Sequence, residues 1–474
     1  MVNFYLPVTS QPRELDAKLL LALVARERGH GAWIGYKSTF QNRLASLAPG
    51  IFVTHNARQD TGRVRLIRDH GHRVFVLDEE ALVRQTDEIF IKKHPKGAFD
   101  SVSKILCWGQ DNFDLWERHG IDADGGKAIV GNPRFDLLRP EIVGFFASQC
   151  DSIKRRFGNY ILLNTNFPTV NNLTREGGGV RISRWAMDQR GQELSDRFIA
   201  NKRAMLNAEL SLVRPLAAAI APMSLVIRPH PNEDHKPWID MAREIPNAHV
   251  VFEGSVVPWL LGASALLHNN CTTAVEAAAA GVPIINFVPW TSGFDNQLAN
   301  SFGRVCTSLE EIIAALTDIG MERDNGLLQS ELVLLRHHVA SADGSLSCER
   351  IVELAEGEIG TLQGVASDRR RTEQHLAQVK MKLMWLKQLL KLYKSKRGRR
   401  LRMHLKKNYP ELSILGLDHE QLKYSEGKFD LLMRQFPPLD AAILDDKIRR
   451  FSEVTGRFGS LRAELLSQHL LRIV

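Results

Sequence analysis

The segment Leu225–Pro231 ends in an Arg-Pro-His-Pro motif that could bind a nucleotide phosphate. The motif follows a run of strand formers, and residues just past the carboxyl end of a strand line the ligand crevice of an open α/β sheet. Because prolines restrict the backbone on both sides of His230, its imidazole points in a defined direction. We expect Arg228, His230 and Pro231 to contact a phosphate, with His230 also protonating a departing nucleotide near neutral pH. The alternative is a structural turn that carries a surface histidine.

A second block, His268-Asn-Asn-Cys-Thr-Thr-Ala-Val-Glu276, follows another predicted strand. Thr272 and Thr273 open an alanine-rich helix, and hydroxyls beside the free N–H groups and positive end of a helix favour phosphate. Glu276 lies one turn into that helix, where its carboxylate can accept both hydroxyls of a ribose. The alternatives are capping threonines and an exposed first-turn acid. The two blocks together predict a nucleotide-sugar site, to which we also assign Asn164 and Asn270.

Three acids, Asp78-Glu79-Glu80, follow the predicted strand Val74–Leu77. Carboxylates crowded at the end of a buried strand repel one another, which raises the pKa of at least one and suits acid–base or nucleophilic work. The alternative is an acidic N-cap for the next helix. Several cations could also face an anionic acceptor, although each alone is more often a solvated charge: Arg13, Lys37, His55, Arg175, Arg181 and Arg184.

The elements that must position these residues alternate between strands and helices. After a first strand at 3–8 and a helix at 13–29, apolar runs predict strands at 32–36, 50–54, 73–77, 104–108 and 127–130. A second series follows at 160–163, 224–227, 249–252, 265–267 and 283–287. This pattern predicts an α/β fold with parallel sheets. Two such halves facing a cleft are typical of the GT-B class.

The length of 474 residues predicts two or three domains. We place an N-terminal Rossmann-like acceptor or catalytic domain at 1–150 and a C-terminal Rossmann-like nucleotide-sugar domain at 151–345. A basic amphipathic helical segment is predicted at 346–410 and a further helical segment at 411–474.

Residues 369–407 contain fifteen Lys or Arg and a single acid. The positive charge of this segment alone therefore exceeds the net charge of +8 of the whole chain. An apolar stripe with spacings of three and four crosses this segment: Leu376, Val379, Leu383, Leu386, Leu390 and Tyr393. We expect it to bind an anionic membrane surface. A coiled-coil or intramolecular seam is the alternative. Nucleic acid is not an expected partner, because no recognised module accompanies the charge.

Cysteine usage and hydropathy point to the cytoplasm. The five cysteines are scattered and form no Cys-x-x-Cys pair, so neither a disulfide framework nor a structural zinc is expected. No apolar stretch approaches the length of a membrane span, and the N-terminus lacks the features of a signal peptide. We therefore expect a cytoplasmic protein that is peripheral at the inner face of the cell membrane.

Five motifs resemble those of a known family. They are Asp78-Glu-Glu80, Gly131-Asn-Pro-Arg-Phe-Asp136, Asn164-Thr-Asn-Phe167, Arg228-Pro-His-Pro231 and the block His268–Glu276. Together they resemble the bacterial surface carbohydrate biosynthesis proteins, a family similar to the retaining β-Kdo transferases of capsule and lipopolysaccharide assembly. The resemblance covers most of residues 1–345 and recurs around Lys428–Phe451.

The resemblance implies a GT-B glycosyltransferase that moves an ulosonic acid, typically Kdo, from a CMP-sugar donor to a surface-glycan or glycolipid acceptor. It implies that His230 and Pro231 contact the cytidylate phosphate and that Thr272 and Thr273 form the hydroxyl-bearing helix start. Glu80 corresponds to the proposed carboxylate nucleophile, although Ala81 stands where the family has Gly.

In this mechanism Glu79 or Glu80 is the nucleophile, or the base toward the acceptor hydroxyl. No metal or other cofactor is expected, because helix ends and basic side chains can carry the phosphate charge. The alternatives are a CDP-alditol phosphotransferase, a UDP-sugar epimerase, and a non-enzymatic membrane- or nucleic-acid-binding protein that uses the basic segment.

Overall fold

The structure is a computed structural model that describes residues 1–57, 61–82, 84, 86–94, 97–173, 179–180, 191–295, 298–321, 327–360 and 436–474. The predicted basic stripe, most of the segment 346–410, and the cations Arg175, Arg181 and Arg184 lie outside these residues. No helix among those described is long and apolar enough to cross a membrane.

The first domain is built on an eight-stranded sheet whose first six strands in the chain run parallel. These strands are β1 (Asn3–Val8), β2 (Gly31–Tyr36), β3 (Ile51–Thr54), β4 (Arg73–Leu77), β5 (Lys104–Cys107) and β6 (Lys127–Ile129). The helices are α1 (Gln11–Glu27), α2 (Lys37–Gln41), α3 (Thr61–Asp69), α4 (Asp87–Lys92), α5 (Gln110–Arg118), α6 (Pro133–Asp136) and α7 (Ala147–Phe157). Strands β1 to β5 are continuous apolar runs because a parallel sheet is covered on both faces.

Helix α1 forms the centre of the first domain. Its residues from Glu14 to Ala25 are all buried, so its sequence is apolar around most of its circumference. Pro12 stands in the first turn and Arg26 in the last, as helix geometry and the helix dipole favour. Because α1 follows β1 directly in the chain, its start lies at the carboxyl end of β1, at the edge of the sheet that faces the second domain.

The second domain has a six-stranded parallel sheet in the order β12-β11-β10-β7-β8-β9. Its strands are β7 (Tyr160–Asn164), β8 (Ser224–Arg228), β9 (Ala248–Val250), β10 (Ala265–His268), β11 (Ile284–Phe287) and β12 (Arg304–Cys306). Its helices are α8 (Gln192–Ile220), α9 (Lys236–Ala242), α10 (Val257–Gly262), α11 (Thr273–Ala279) and α12 (Leu309–Met321), and α13 (Gln329–His338) follows. The predicted fold class, two Rossmann-like domains facing a cleft, is confirmed.

The chain then returns to the first domain, which the sequence did not predict. Helix α14 (Ser347–Glu356) starts at the carboxylate of Asp136, which accepts hydrogen bonds from the backbone N–H groups of Ser347 at 2.9 Å and Cys348 at 2.8 Å. The first part of the predicted basic segment is thus a helix that packs on the first domain through one buried face.

The end of the chain contains two strands where only helices were predicted. After α15 (Ala441–Thr455), strands β13 (Ala463–Ser467) and β14 (Leu470–Ile473) form a hairpin, and β14 pairs antiparallel with β2. A side chain at Gly35 of β2 would lie 2.6 Å from the carbonyl oxygen of His469, so this glycine permits the close approach. The sequences of β13 and β14 are rich in leucine and are also compatible with a helix. These residues form strands because β14 pairs with β2.

Helix α15 is attached to the first domain through one apolar face. Phe451 is fully buried and stacks on Phe145 with ring centroids 4.0 Å apart. Leu444 and Ile448 lie on the same face of the helix and are also buried. The C-terminal residues are therefore part of the first domain's core.

We expect Phe451→Ala to lower the free energy of unfolding by about 3–5 kcal/mol, because the core cannot close over the space that the ring leaves. Ile443→Ala on the same helix is the matched control. Ile443 is 57% exposed, and its truncation should cost about 0.5 kcal/mol or less. Urea unfolding of both variants measures the difference. If Phe451→Ala and Ile443→Ala lower the free energy of unfolding equally, α15 does not pack on the first domain through the face that carries Phe451.

Candidate functional site

A cavity of about 400 Å³ lies between the two domains, where the carboxyl ends of both sheets face each other. The first domain contributes the loop after β1 and residues after β4 and β6, and the second contributes residues after β7, β8 and β10. Among the predicted site residues, those that line it are Glu80, Asn164, Arg228, His230, Pro231, Thr272, Thr273 and Glu276. The described lining includes neither Glu79 nor Asn270.

The imidazole of His230 is held by its own loop. Its Nδ1 accepts a hydrogen bond from the backbone N–H of Asn232 at 3.1 Å, which leaves the proton of the neutral ring on Nε2. Burial, the largest cause, and the charge of Arg13 lower the pKa of His230 and Glu80 raises it, with a net pKa of about 4. The ring is therefore neutral at pH 7 and can donate a hydrogen bond from Nε2. This differs from the expectation that His230 titrates near neutrality.

The buried carboxylate of Glu233 sets the path of the His-Pro loop. It accepts hydrogen bonds from the backbone N–H of His230 at 3.2 Å, from the backbone N–H of Phe167 at 2.9 Å and from the hydroxyl of Thr165 at 2.6 Å. Trp238 donates its indole N–H at 3.1 Å, and the amide of Asn171 lies at 3.5 Å. Because five donors converge on one side chain, the loops after β7 and β8 are fixed relative to each other.

Arg228 positions a neighbouring loop. Its guanidinium donates to the carbonyl oxygens of Glu253 at 2.9 Å and Gly254 at 2.6 Å, and it lies over the rings of Phe252 and Trp259. Burial lowers its pKa to about 10, so it stays charged at pH 7. Arg228 lines the cavity. Two of its N–H groups are already hydrogen-bonded to the carbonyl oxygens of the 253–254 turn.

The start of α11 brings hydroxyls to the cavity. Thr272 is exposed there, and its side chain makes no capping hydrogen bond. The hydroxyl of Thr273 is buried and lies 3.1 Å from the sulfur of Cys271. At the end of β7, the side-chain oxygen of Asn164 is buried with no hydrogen-bond partner among the described residues. Thr272 and Asn164 thus present polar groups to the cavity that a ligand could engage.

Asn270 has a structural role outside the lining. It adopts a left-handed backbone conformation with φ of 52°, and its carbonyl oxygen accepts a hydrogen bond from the amide of Asn166 at 2.9 Å. Its own side-chain amide bonds those of Asn269 and Asn300. Asn270 therefore forms the turn that delivers Thr272 and Thr273.

The three acids after β4 lie in separate environments. Partner side chains therefore relieve the repulsion that was predicted for the crowded carboxylates. Asp78 is buried, and its carboxylate lies 3.2 Å from Nε2 of His94. Glu79 is buried beside Arg134 at 3.3 Å. Glu80 is exposed and lines the cavity. None of the three caps α4, whose N-cap is Thr86.

Arg134 bridges the two domains, and the site predictions did not include it. One of its guanidinium nitrogens contacts Glu79 of the first domain, and the other pairs with Glu276 on α11 of the second. Burial by itself would lower the pKa of Arg134, but Glu276 and Glu79 raise it. Glu276 thus reaches the cavity with its carboxylate held by a cation.

The motif around Arg134 explains its placement. Gly131 has φ of 84°, and a side chain there would lie 2.3 Å from the hydroxyl of Ser341. Asn132 caps α6 by accepting a hydrogen bond from the backbone N–H of Arg134 at 2.9 Å, and Pro133 occupies the first turn. Gly-Asn-Pro therefore builds a tight helix start that aims Arg134 across the cleft.

The loop after β1 also lines the cavity, and among its residues only Arg13 was considered from the sequence. The loop contributes Thr9 and Ser10, and the start of α1 contributes Pro12, Arg13 and Asp16. The buried carboxylate of Glu14 accepts hydrogen bonds from the backbone N–H and hydroxyl of Thr9, at 3.0 and 2.6 Å. The carboxyl-end rule applied to β1 would have identified this loop.

Comparisons with known proteins add a likeness of fold. No family model matches the chain, and a comparison with curated protein sequences finds no match. UDP-GlcNAc 2-epimerase from Neisseria meningitidis, bound to UDP-GlcNAc, is 12% identical, with a TM-score of 0.46 over 76% of this chain and 100% of that chain. The wall teichoic acid polymerase TagF is 9% identical, with a TM-score of 0.48 over 76% of this chain and 89% of that chain. The likeness concerns overall fold only.

We expect Arg134→Met to lower the free energy of unfolding by about 3–5 kcal/mol, because it leaves two buried carboxylates without their cation. Adding Glu79→Gln and Glu276→Gln should restore part of the loss, since the unpaired charges are then gone. The control is Arg156→Met, which breaks an exposed ion pair with Glu253 and should cost about 1 kcal/mol or less. Chemical denaturation measures all three. If Arg134→Met lowers the free energy of unfolding no more than Arg156→Met does, the ion-pair bridge between the domains is contradicted.

Proposed function

We propose that this chain is a glycosyltransferase that moves an ulosonic acid, Kdo, from a CMP-sugar donor to a surface-glycan or glycolipid acceptor. One observation carries the proposal: the interdomain cavity brings Glu80 of the first domain together with His230 and Thr272 of the second. A carboxylate that faces the His-Pro loop and a helix start suits glycosyl transfer from a nucleotide, because it supplies a nucleophile or base opposite groups that can hold the phosphate. The volume of about 400 Å³ lies in the range of small-ligand sites.

The donor phosphate is proposed to lie against the second domain. The Nε2–H group of His230 donates a hydrogen bond to a phosphate oxygen, and the Thr272 hydroxyl provides another. The positive end of α11 and the charge of Arg13 stabilise the negative charge that grows on the leaving cytidylate. Because Glu233 already holds the His-Pro loop in place, little reorganisation is needed when the donor binds.

The reacting carboxylate is proposed to be Glu80. In the retaining route its oxygen attacks the anomeric carbon, the bond from that carbon to the phosphate oxygen breaks, and the electron pair leaves with CMP. The acceptor hydroxyl then attacks the anomeric carbon, the bond from that carbon to Glu80 breaks, and the proton of the hydroxyl passes to a phosphate oxygen of the departing CMP. In the inverting route Glu80 instead takes the proton of the attacking hydroxyl. Glu79, paired with Arg134, positions this segment.

The membrane partner remains a prediction. A lipid-linked acceptor would be met at the inner face of the cell membrane if the basic residues at 369–407 bind anionic lipid. That segment lies outside the described residues, so the proposal for it rests on its charge and apolar spacing.

CMP should stabilise the protein in a thermal-shift titration, and CDP, UDP and ADP should do so less. At 100 times its dissociation constant a ligand adds about 2.7 kcal/mol of stability. His230→Ala should lose the shift, whereas His119→Ala, an exposed residue outside the cavity, should keep it. A shift with CDP alone would favour alditol phosphate transfer, and one with UDP alone an epimerase-like reaction. No shift with any nucleotide would overturn the site.

Glu80→Gln separates binding from chemistry. With CMP-Kdo as donor, we expect this variant to bind CMP as the wild type does and to transfer Kdo at least about 100-fold more slowly. Glu244→Gln, which alters a side chain that is 80% exposed, should transfer at the wild-type rate. The anomeric configuration of the product distinguishes the retaining from the inverting route. A Glu80→Gln variant with full activity would remove Glu80 from the mechanism.

A further inference from the structure

The side chain of His94, just past the end of α4, is buried against three aromatic rings of the first domain. The centroids of the rings of Phe90, Phe99 and Trp116 lie 5.1, 5.3 and 5.2 Å from that of the imidazole. The side chain of His94 is 2% exposed. An imidazole buried among apolar rings needs hydrogen-bond partners at both nitrogens, because an unsatisfied buried polar group is costly.

Both nitrogens of His94 have such a partner, and both partners are oxygen acceptors. Nδ1 lies 3.1 Å from the carbonyl oxygen of Phe90, and Nε2 lies 3.2 Å from Oδ2 of Asp78. A carbonyl oxygen can only accept, so Nδ1 carries a proton. The hydrogen bond between Nε2 and Asp78 needs a second proton, on the ring or on the carboxyl group. His94 therefore fixes the position of one oxygen of Asp78.

The side chain of Asp78 connects His94 to the backbone of Glu80. Its other oxygen, Oδ1, accepts a hydrogen bond from the backbone N–H of Glu80 at 2.9 Å. A bond of this kind, to a residue two positions further on, holds a tight turn of the backbone. The carbonyl oxygen of Asp78 also accepts hydrogen bonds from the indole of Trp108 at 2.9 Å and the backbone N–H of Ala81 at 3.1 Å. Because the two carboxyl oxygens belong to one rigid group, the contact with His94 constrains the contact with Glu80.

We propose that His94 is a positioning residue that directs Glu80 into the interdomain cavity through Asp78. The inference rests on the proposed function, since it concerns the aim of the carboxylate that reacts there. Glu80 lines the cavity, whereas the described lining includes neither His94 nor Asp78. The turn at 78–81 therefore sets where the Glu80 carboxylate begins its reach, and His94 acts without touching a substrate. A displacement of about 1 Å at a reacting group can cost about 100-fold in rate.

Two substitutions of His94 test the hydrogen bond to Asp78. His94→Phe keeps a ring in the aromatic pocket but has no donor, whereas His94→Gln can place an N–H group near the position of Nε2. With CMP-Kdo as donor, we expect His94→Phe to lower kcat about 10- to 100-fold with KM for CMP-Kdo unchanged. His94→Gln should recover most of the rate. Asp78→Asn should also retain most of it, because its amide can accept from Glu80 and donate to His94.

His70→Phe is the matched control. His70 is buried in the same domain, and its Nδ1 lies 2.8 Å from the carbonyl oxygen of Leu66, four residues earlier. His94 and Phe90 have the same spacing and contact. Nε2 of His70, in contrast, has no hydrogen-bond partner among the described residues. His70→Phe should therefore leave kcat at the wild-type value, and thermal unfolding checks that every variant is folded.

Hydrogen exchange provides a readout that needs no activity. Mass spectrometry of peptides that cover 78–81 reports the protection of the Glu80 N–H group. We expect faster exchange in His94→Phe, and exchange close to that of the wild type in His94→Gln and His70→Phe. Should His94→Phe not fold, Asp78→Ala compared with Asp78→Asn tests the same hydrogen bonds, and only Asp78→Ala should exchange faster.

The outcomes separate this inference from the proposed function. A wild-type protein that transfers no Kdo overturns the proposed function, and the exchange measurement then decides the role of His94 by itself. A wild-type kcat in His94→Phe would overturn the inference, as would an equal loss of kcat in His70→Phe. Unchanged exchange at Glu80 in His94→Phe would overturn it as well.

Discussion

The pairing of Arg134 with Glu79 and Glu276 is the interaction on which the geometry of the cleft depends. Removing three charged groups from water costs several kcal/mol per ion, and this cost is recovered only while the groups remain together. Because Glu79 belongs to one domain and Glu276 to the other, the bridge holds the carboxyl ends of β4 and β10 at a set separation. Glu80, next to Glu79, is thereby presented to the cavity.

Within the second domain a different kind of constraint fixes the side of the cavity that is proposed to bind the donor phosphate. Glu233 accepts five hydrogen bonds, four from groups in the loops after β7 and β8 and one from the indole of Trp238 on α9. A buried acceptor with so many donors permits few alternative loop conformations, since any rearrangement would leave buried polar groups unsatisfied. The cavity is therefore organised before any ligand arrives, which is the condition under which fixed dipoles stabilise a leaving phosphate effectively.

The first domain is completed by parts of the chain that are distant in sequence. Helix α14 starts on the carboxylate of Asp136, and β14 adds to the sheet beside β2. The middle of the chain, 160–321, forms the second domain between these two contributions. Both faces of the cleft are thus supported by sheets.

The sequence by itself determined the two parallel sheets and eight of the residues that line the cleft, because apolar runs mark buried strands and the polar residues after them must meet at one edge. His230, Thr272 and Glu80 were identified in this way. Only the tertiary structure distinguished Glu80 from Glu79, because the distinction depends on Arg134, which lies far along the chain. After helix α15, it also placed a strand hairpin where only helices were predicted, since β14 gains its hydrogen bonds from β2.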